Sequence, residues 1–235
     1  YNAEGTEFIA VLASASGEIH IAEGVTEIPA RLFQSKPLIT GVVLPKGITK
    51  IGEEAFSYCS GLQRVQLSEG LTEIGQSAFS SCNRLSQITL PEGLQTVEYN
   101  AFSNAGLTSL TLPEGLTSVG GGAFSSNHQL ISVTLKGRSA ILQGGAFGDC
   151  PNLREVNGSD VKTVDGIVYS ADGARLVALL STVSGSVRLE QGITSIPSRF
   201  FQGNERITEV VIPTGVSTIQ GYSFEYCKNL KSVTL

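Results

Sequence analysis

Eight phenylalanines set a ruler along this chain. Phe33, Phe56, Phe79, Phe102, Phe124, Phe147, Phe201 and Phe224 fall 23, 23, 23, 22, 23, 54 and 23 residues apart. Most follow a small residue, as in Ala55-Phe56, Ala78-Phe79, Ala101-Phe102, Ala123-Phe124, Ala146-Phe147 and Ser223-Phe224. Six residues beyond each Phe, or five beyond Phe102, an aliphatic opens an L-x-x-V-x-L segment such as residues 62–67. A Pro/Gly turn and a short L-x-x-I segment such as residues 71–74 follow. The repeating unit is therefore a strand, a turn, a second short strand and a tight turn carrying Ala-Phe.

One such unit cannot fold by itself. Ordering its backbone costs about 1–2 kcal/mol per residue. About seven buried side chains at roughly 1.5–3 kcal/mol each do not offset that. Stacking supplies the missing burial, so each repeat is stable only against its neighbours. In-register stacking predicts a continuous Phe ladder and a parallel sheet. Alternation sends Val65 and Leu67 inward and Arg64 and Gln66 outward. Pro45, Pro91, Pro113 and Pro213 end the strands, and Gly70, Gly93, Gly115 and Gly215 supply the turns that follow.

The period breaks once, between Phe147 and Phe201. Within the surplus, Asp172-Gly173 separates apolar runs at 167–169 and 176–180, a strong hairpin signal. The segment from Tyr1 aligns without gaps to the segment from Tyr169, and the offset of 168 persists to Cys59 and Cys227. The reading is one solenoid over 1–235. It has a first array over 1–155 that begins inside a truncated hairpin, a β-hairpin insertion over 156–186, and a second array over 187–235 that is truncated at its end. With no methionine and no polar capping repeat, the sequence reads as a piece of a longer protein. Open ends are expected to favour end-to-end self-association.

The pattern A-F-S-x-C-x-x-L-x-x-V-x-L-P-E-G-L-x-x-I-G stands here as Ala55-Phe56-Ser57-Tyr58-Cys59-Ser60-Gly61-Leu62, then Val65, Leu67, Glu69-Gly70-Leu71 and Ile74-Gly75. It resembles the Bacteroides surface protein A-like, or Treponema-type, leucine-rich repeats. Val164-Asp165-Gly166-Ile167-Val168-Tyr169, followed by Asp172-Gly173, resembles the hairpin element of the same family. The resemblance covers essentially the whole chain and departs locally at Lys136-Gly137-Arg138 and Asn157-Gly158. It implies a β-rich, right-handed leucine-rich-repeat solenoid. One face would be a parallel sheet, the other short strands and helical turns, with one β-hairpin inserted. It also implies a secreted or cell-surface-anchored bacterial protein. The expected partners are host extracellular-matrix or plasma proteins, such as fibronectin and fibrinogen, or another bacterial surface protein. The family defines no catalytic residues.

The formal net charge of −5 argues against nucleic acid as a partner, because phosphate binding needs a basic face. No run of about 18 apolar residues is present to form a transmembrane segment. Cys59, Cys82, Cys150 and Cys227 each sit three residues after a ladder Phe. Their readings are buried free thiols acting as small hydrophobes, a Cys59–Cys82 disulfide between adjacent repeats, or a metal site for which the spacing offers no convergence. His20 and His128 lie in different repeats among ordinary polar residues and read as solvated side chains. Glu69, Glu92 and Glu114 share one turn position, flanked by Lys46 and Lys136, and read as a solvated edge; Ca²⁺ is the alternative. The Gly120-Gly121-Gly122 run lacks the Lys-Ser/Thr of a phosphate loop and reads as a tight turn. No cofactor, metal or catalytic group is called for.

The candidate protein-binding surface is the outward face of the sheet: Arg64, Gln66, Gln87, Thr89, Thr111, Ser132, Thr134 and Glu155, with Ser109, Ser232 and Thr234 beside them. The bland reading is that Thr serves strand propensity there. A rival surface is the hairpin, from which Tyr169, Arg175 and Leu176 are expected to project. The function expected is a non-enzymatic extracellular interaction or adhesion module, with a structural spacer that holds another domain away from the cell as the alternative.

Overall fold

The computed structural model describes residues 14–138 and 142–235. It is a β-solenoid in which most repeats add one strand to each of two faces. On the first face, the L-x-x-V-x-L segments pair parallel and in register, Gly41 with Arg64, Val42 with Val65 and Val43 with Gln66. The same step joins Ser109–Leu112 to Ser132–Leu135, and Ser132–Leu135 to Glu155–Asn157. It recurs in the second array across Gly185–Arg188, Ile207–Val211 and Ser232–Thr234. On the other face, Glu27–Ile28, Lys50–Ile51, Glu73–Ile74, Thr96–Val97 and Ser118–Val119 form a five-stranded parallel sheet. The repeat that is one residue short loses it in the loop after Phe102. There Gly106 turns at a φ of 84°, and Ser109–Leu112 keeps its register.

The Ala-Phe turns differ from expectation. They are not helical: among the described residues no helix is present. Within 52–59 the amides alternate in use. Ala55, Ser57 and Cys59 donate to the carbonyls of Gly52, Glu54 and Phe56, three residues back. Glu54, Phe56 and Tyr58 donate instead to Gln76, Ala78 and Ser80 of the next repeat. A helix would spend every interior amide internally; this turn spends half on its neighbour, which is what stacking requires. The alternation demands a left-handed residue at every fourth position, filled by Glu54 and Tyr58, by Ser77 and Ser81, and by Asn100 and Asn104, with φ between 53° and 61°. Each such non-glycine residue carries a strain of about 1–3 kcal/mol, offset by the bonds to the next repeat.

Those bonds hold the phenylalanines over one another. Successive rings from Phe33 to Phe147 stack with centroids 5.0, 5.2, 5.1, 5.4 and 5.7 Å apart, and Phe201 stacks on Phe224 at 5.1 Å. All but Phe224 are buried. The ladder is not continuous. It stops at Phe147, and the apolar interior divides into two clusters, one reaching Phe147 and the other built around Phe200 and Phe201. At this boundary the turn at 145–149 keeps its internal bonds, Ala146 to Gln143 and Gly148 to Gly145, but none of its amides donates to the facing turn at 197–203.

The insertion causes the break. It is a three-stranded antiparallel meander of Val161–Val164, Ile167–Ser170 and Leu176–Leu179, one strand more than the hairpin signal gave. Its first turn, Asp165-Gly166, has φ of 49° and 79°, the left-handed pair that matches strand twist. Its second is fixed by Asp172, whose Oδ1 accepts from the Ser170 hydroxyl at 2.5 Å and from the Ala174 amide at 2.9 Å.

Substitutions at Ser81 and Phe79 separate backbone from interior. Ser81→Gly relieves strain and is expected to hold or raise the urea midpoint, whereas Ser81→Val lowers stability by roughly 1–3 kcal/mol. Phe79→Ala opens the ladder and is expected to cost roughly 3–5 kcal/mol, against a few tenths for Thr111→Ala. Equal losses at Phe79 and Thr111 in denaturant titrations would contradict the facing described.

Candidate interaction face

Strand register assembles the outward side chains into two rows. Ser109, Ser132 and Glu155 stand beside one another in one row, and Thr111, Thr134 and Asn157 in the other. Gln66, Gln87, Thr89, Thr111, Thr134 and Glu155 are exposed, and Ser132 is half-buried. Ser232 and Thr234 are exposed in the second array. Residues 86–90 form no strand, although their sequence is as regular as the neighbouring segments. The sheet opens there. One groove of about 300 Å³ lies against Gln87, Thr89, Ser109 and Thr111, and another of about 480 Å³ lies against Gln66, Leu67, Thr89 and Pro91.

Arg64 is committed within the chain. Its Nε donates to Glu18 Oε2 at 2.6 Å, two repeats away. Gly41 lies between them, and a Cβ there would stand 2.9 Å from that same oxygen. The Arg64 hydrogen bond holds the Glu18 carboxyl below its ordinary pKa.

The hairpin does not present the surface expected of it. Tyr169 is 1% exposed and Leu176 is 7% exposed. The tyrosine packs in the second core with Val187 and Leu189, and its hydroxyl accepts from the Glu190 amide at 3.2 Å. Lys162 lies over the ring at 5.9 Å and pairs with Glu190 at 2.8 Å. All four residues of Ile167–Ser170 are buried, so alternation fails to mark an outward side on a strand covered on both faces. Arg175 is half-buried.

The other chemistry-bearing residues serve the fold. All four cysteines are free thiols, which excludes the Cys59–Cys82 disulfide. Each thiol donates to the carbonyl of the Phe one repeat back: Cys59 to Phe33 at 3.0 Å, Cys82 to Phe56 at 3.1 Å, Cys150 to Phe124 at 3.4 Å and Cys227 to Phe201 at 3.0 Å. Asn127 takes the same place with a stronger donor, its Nδ2 meeting the Phe102 carbonyl at 2.8 Å. Burial pushes the Cys59 thiol up to about 11 and the Cys150 thiol up to about 12. His20 faces Glu18 at 3.3 Å and His128 faces Asp149 at 3.1 Å, both as exposed pairs. Glu92 pairs with Lys136 at 2.5 Å across two repeats, so the glutamate row already has a cation. Among the described residues no cluster of acids, histidines and cysteines is arranged to hold a metal. No helix among them is long and apolar enough to cross a membrane.

Parallel stacking, the Phe ladder and the side-chain donors behind it define a leucine-rich-repeat solenoid. The description "BspA type Leucine rich repeat region" matches residues 61–171 and 181–235 in six copies, and the chain belongs to this family. A leucine-rich repeat protein of T. pallidum is similar at 28% identity and a TM-score of 0.58, over 67% of this chain and 81% of that one. A leucine-rich repeat protein from Bacteroides ovatus shares the fold at 22% identity and a TM-score of 0.62, over 93% of this chain and 65% of its own. The pneumococcal vaccine antigen PcpA does so at 19% identity and a TM-score of 0.65, over 97% of this chain and 62% of its own. The chain thus spans less than two thirds of those last two structures. No curated protein matches the sequence.

The thiols give a test of the interior. Because burial raises them, the folded chain holds these protons more tightly than the unfolded one. The Cys59 contribution to stability is whole below about 9 and is lost as pH rises toward about 11. A thiol reagent at mildly alkaline pH is expected to spare Cys59, Cys82 and Cys150 in the folded chain and to label all four in urea. Fast labelling of Cys82 without denaturant would show an open interior.

Proposed function

We propose that the chain is a non-enzymatic protein-interaction module, secreted or held at a bacterial cell surface. It engages host matrix or plasma proteins, or another surface protein, through the extended sheet face. The observation that carries this is the array of exposed polar side chains on one face of the stacked repeats: Gln66, Gln87, Thr89, Thr111, Thr134 and Glu155. Family membership supports it, because leucine-rich repeats are protein-interaction folds. The face offers no Trp and no clustered Arg, so affinity comes from area and from many modest contacts rather than from a few anchors. The opening at 86–90 adds local relief to an otherwise regular surface.

The test is a solid-phase assay against a panel of immobilised matrix and plasma proteins, fibronectin and fibrinogen among them. The chain is expected to bind at least one, and the Thr89→Lys/Thr111→Lys variant to bind it at least about tenfold more weakly. Tyr169 is no probe of this surface, because replacing it disturbs the second core. Silence across the panel favours the spacer, in which the solenoid only sets a distance.

A further inference from the structure

The boundary between the two cores holds a cavity that the sheet-face reading does not use. Its volume is about 300 Å³, twice the about 150 Å³ that takes a benzene ring. Phe147, the last ring of the first ladder, lines one side, and Phe200 lines the other. Phe200 is buried and turned edge-on to Phe201, with an interplanar angle of 87°. Leu179 and Leu180 of the meander add apolar wall.

The side chains of Gln202, Asn204 and Arg206 make up part of the polar lining, and two backbone donors lie beside it. In the turns of the earlier repeats, amides corresponding to Phe147 and Asp149 donate to the next repeat: Phe56 to Ala78, Tyr58 to Ser80, Phe124 to Ala146 and Ser126 to Gly148. The 145–149 turn keeps the geometry that aims them along the stack, with left-handed φ at Gly145 (69°) and Asp149 (54°) and both internal bonds intact. Its amides nevertheless meet no carbonyl of the facing turn. Two donors therefore sit beside an aromatic-lined cavity where every comparable donor along the first array meets a peptide carbonyl. The acids at the rim are already engaged. Asp149 Oδ2 faces the Ser126 hydroxyl at 3.1 Å and His128 at 3.1 Å, and Glu205 pairs with Lys228.

We propose that this cavity is a second recognition site, for an aromatic residue on an extended segment of a partner protein. The aromatic side chain enters between Phe147 and Phe200, and the flanking peptide carbonyls accept from the Phe147 and Asp149 amides. The occupant supplies what the facing turn does not, a stacked ring and accepting carbonyls. It carries no positive charge, because both acids at the rim are already engaged.

The chain has no tryptophan, so a tryptophan probe reports on itself. The experiment titrates the chain into N-acetyl-tryptophanamide and follows the probe's emission. A blue shift with sub-millimolar to millimolar affinity is expected. Indole, which keeps the ring and lacks both carbonyls, is expected to bind at least about tenfold more weakly. Ser181→Phe fills the cavity from its rim and is expected to abolish the shift, with an unchanged urea midpoint showing that it still folds. The Thr89→Lys/Thr111→Lys variant is expected to bind the probe as the parent does, which keeps this site distinct from the sheet face. No shift at millimolar chain, equal affinity for indole, or a shift that survives in Ser181→Phe would each overturn the proposal.

Discussion

Division of the amides in the Ala-Phe turn is the constraint on which this molecule rests. Half of them close the turn and half reach the next repeat. That single arrangement fixes the 5 Å step, places ring over ring and carries both sheets along in register. Dispersion between the rings and burial of the aliphatic rows follow from it. At four rings a thiol completes the carbonyl that the arrangement leaves short of a second donor, and Asn127 does so at Phe102 with an amide.

Much of this was legible in the sequence because the period is a direct record of stacking. Phe33 through Phe147 announce their ladder by spacing alone, and Asp172-Gly173 announces its turn by chemistry. The left-handed positions left no such mark: Glu54, Tyr58 and Ser81 are not glycines, and the neighbouring repeat forces their conformation. That is tertiary structure overriding local preference, and it is why a helical turn was the natural expectation. The break in the ladder was hidden for a related reason. Residue counting shows that a segment is inserted, not that the turns beside it lose their mutual bonds.

The candidate face was legible in outline and not in detail. Alternation identified which side chains leave the sheet, since one side of each strand is buried against the core. It did not show that Arg64 is taken by Glu18, because the partner lies two repeats away and reaches it only across a glycine. Nor did it show the opening at 86–90, whose residues follow the pattern of strands that do pair. Tyr169 failed for the opposite reason: a strand covered on both faces has no outward side to read.

The joint between 145–149 and 197–203 has a mechanical consequence. Bonds between repeats run along the long axis of the solenoid, so tension applied to its two ends passes through every boundary in series. Boundaries in series feel the same force, and at this one no turn-to-turn backbone bond bears it. There the meander carries the connection instead, with Val168 and Ala178 in the first core and Ile167 and Tyr169 in the second.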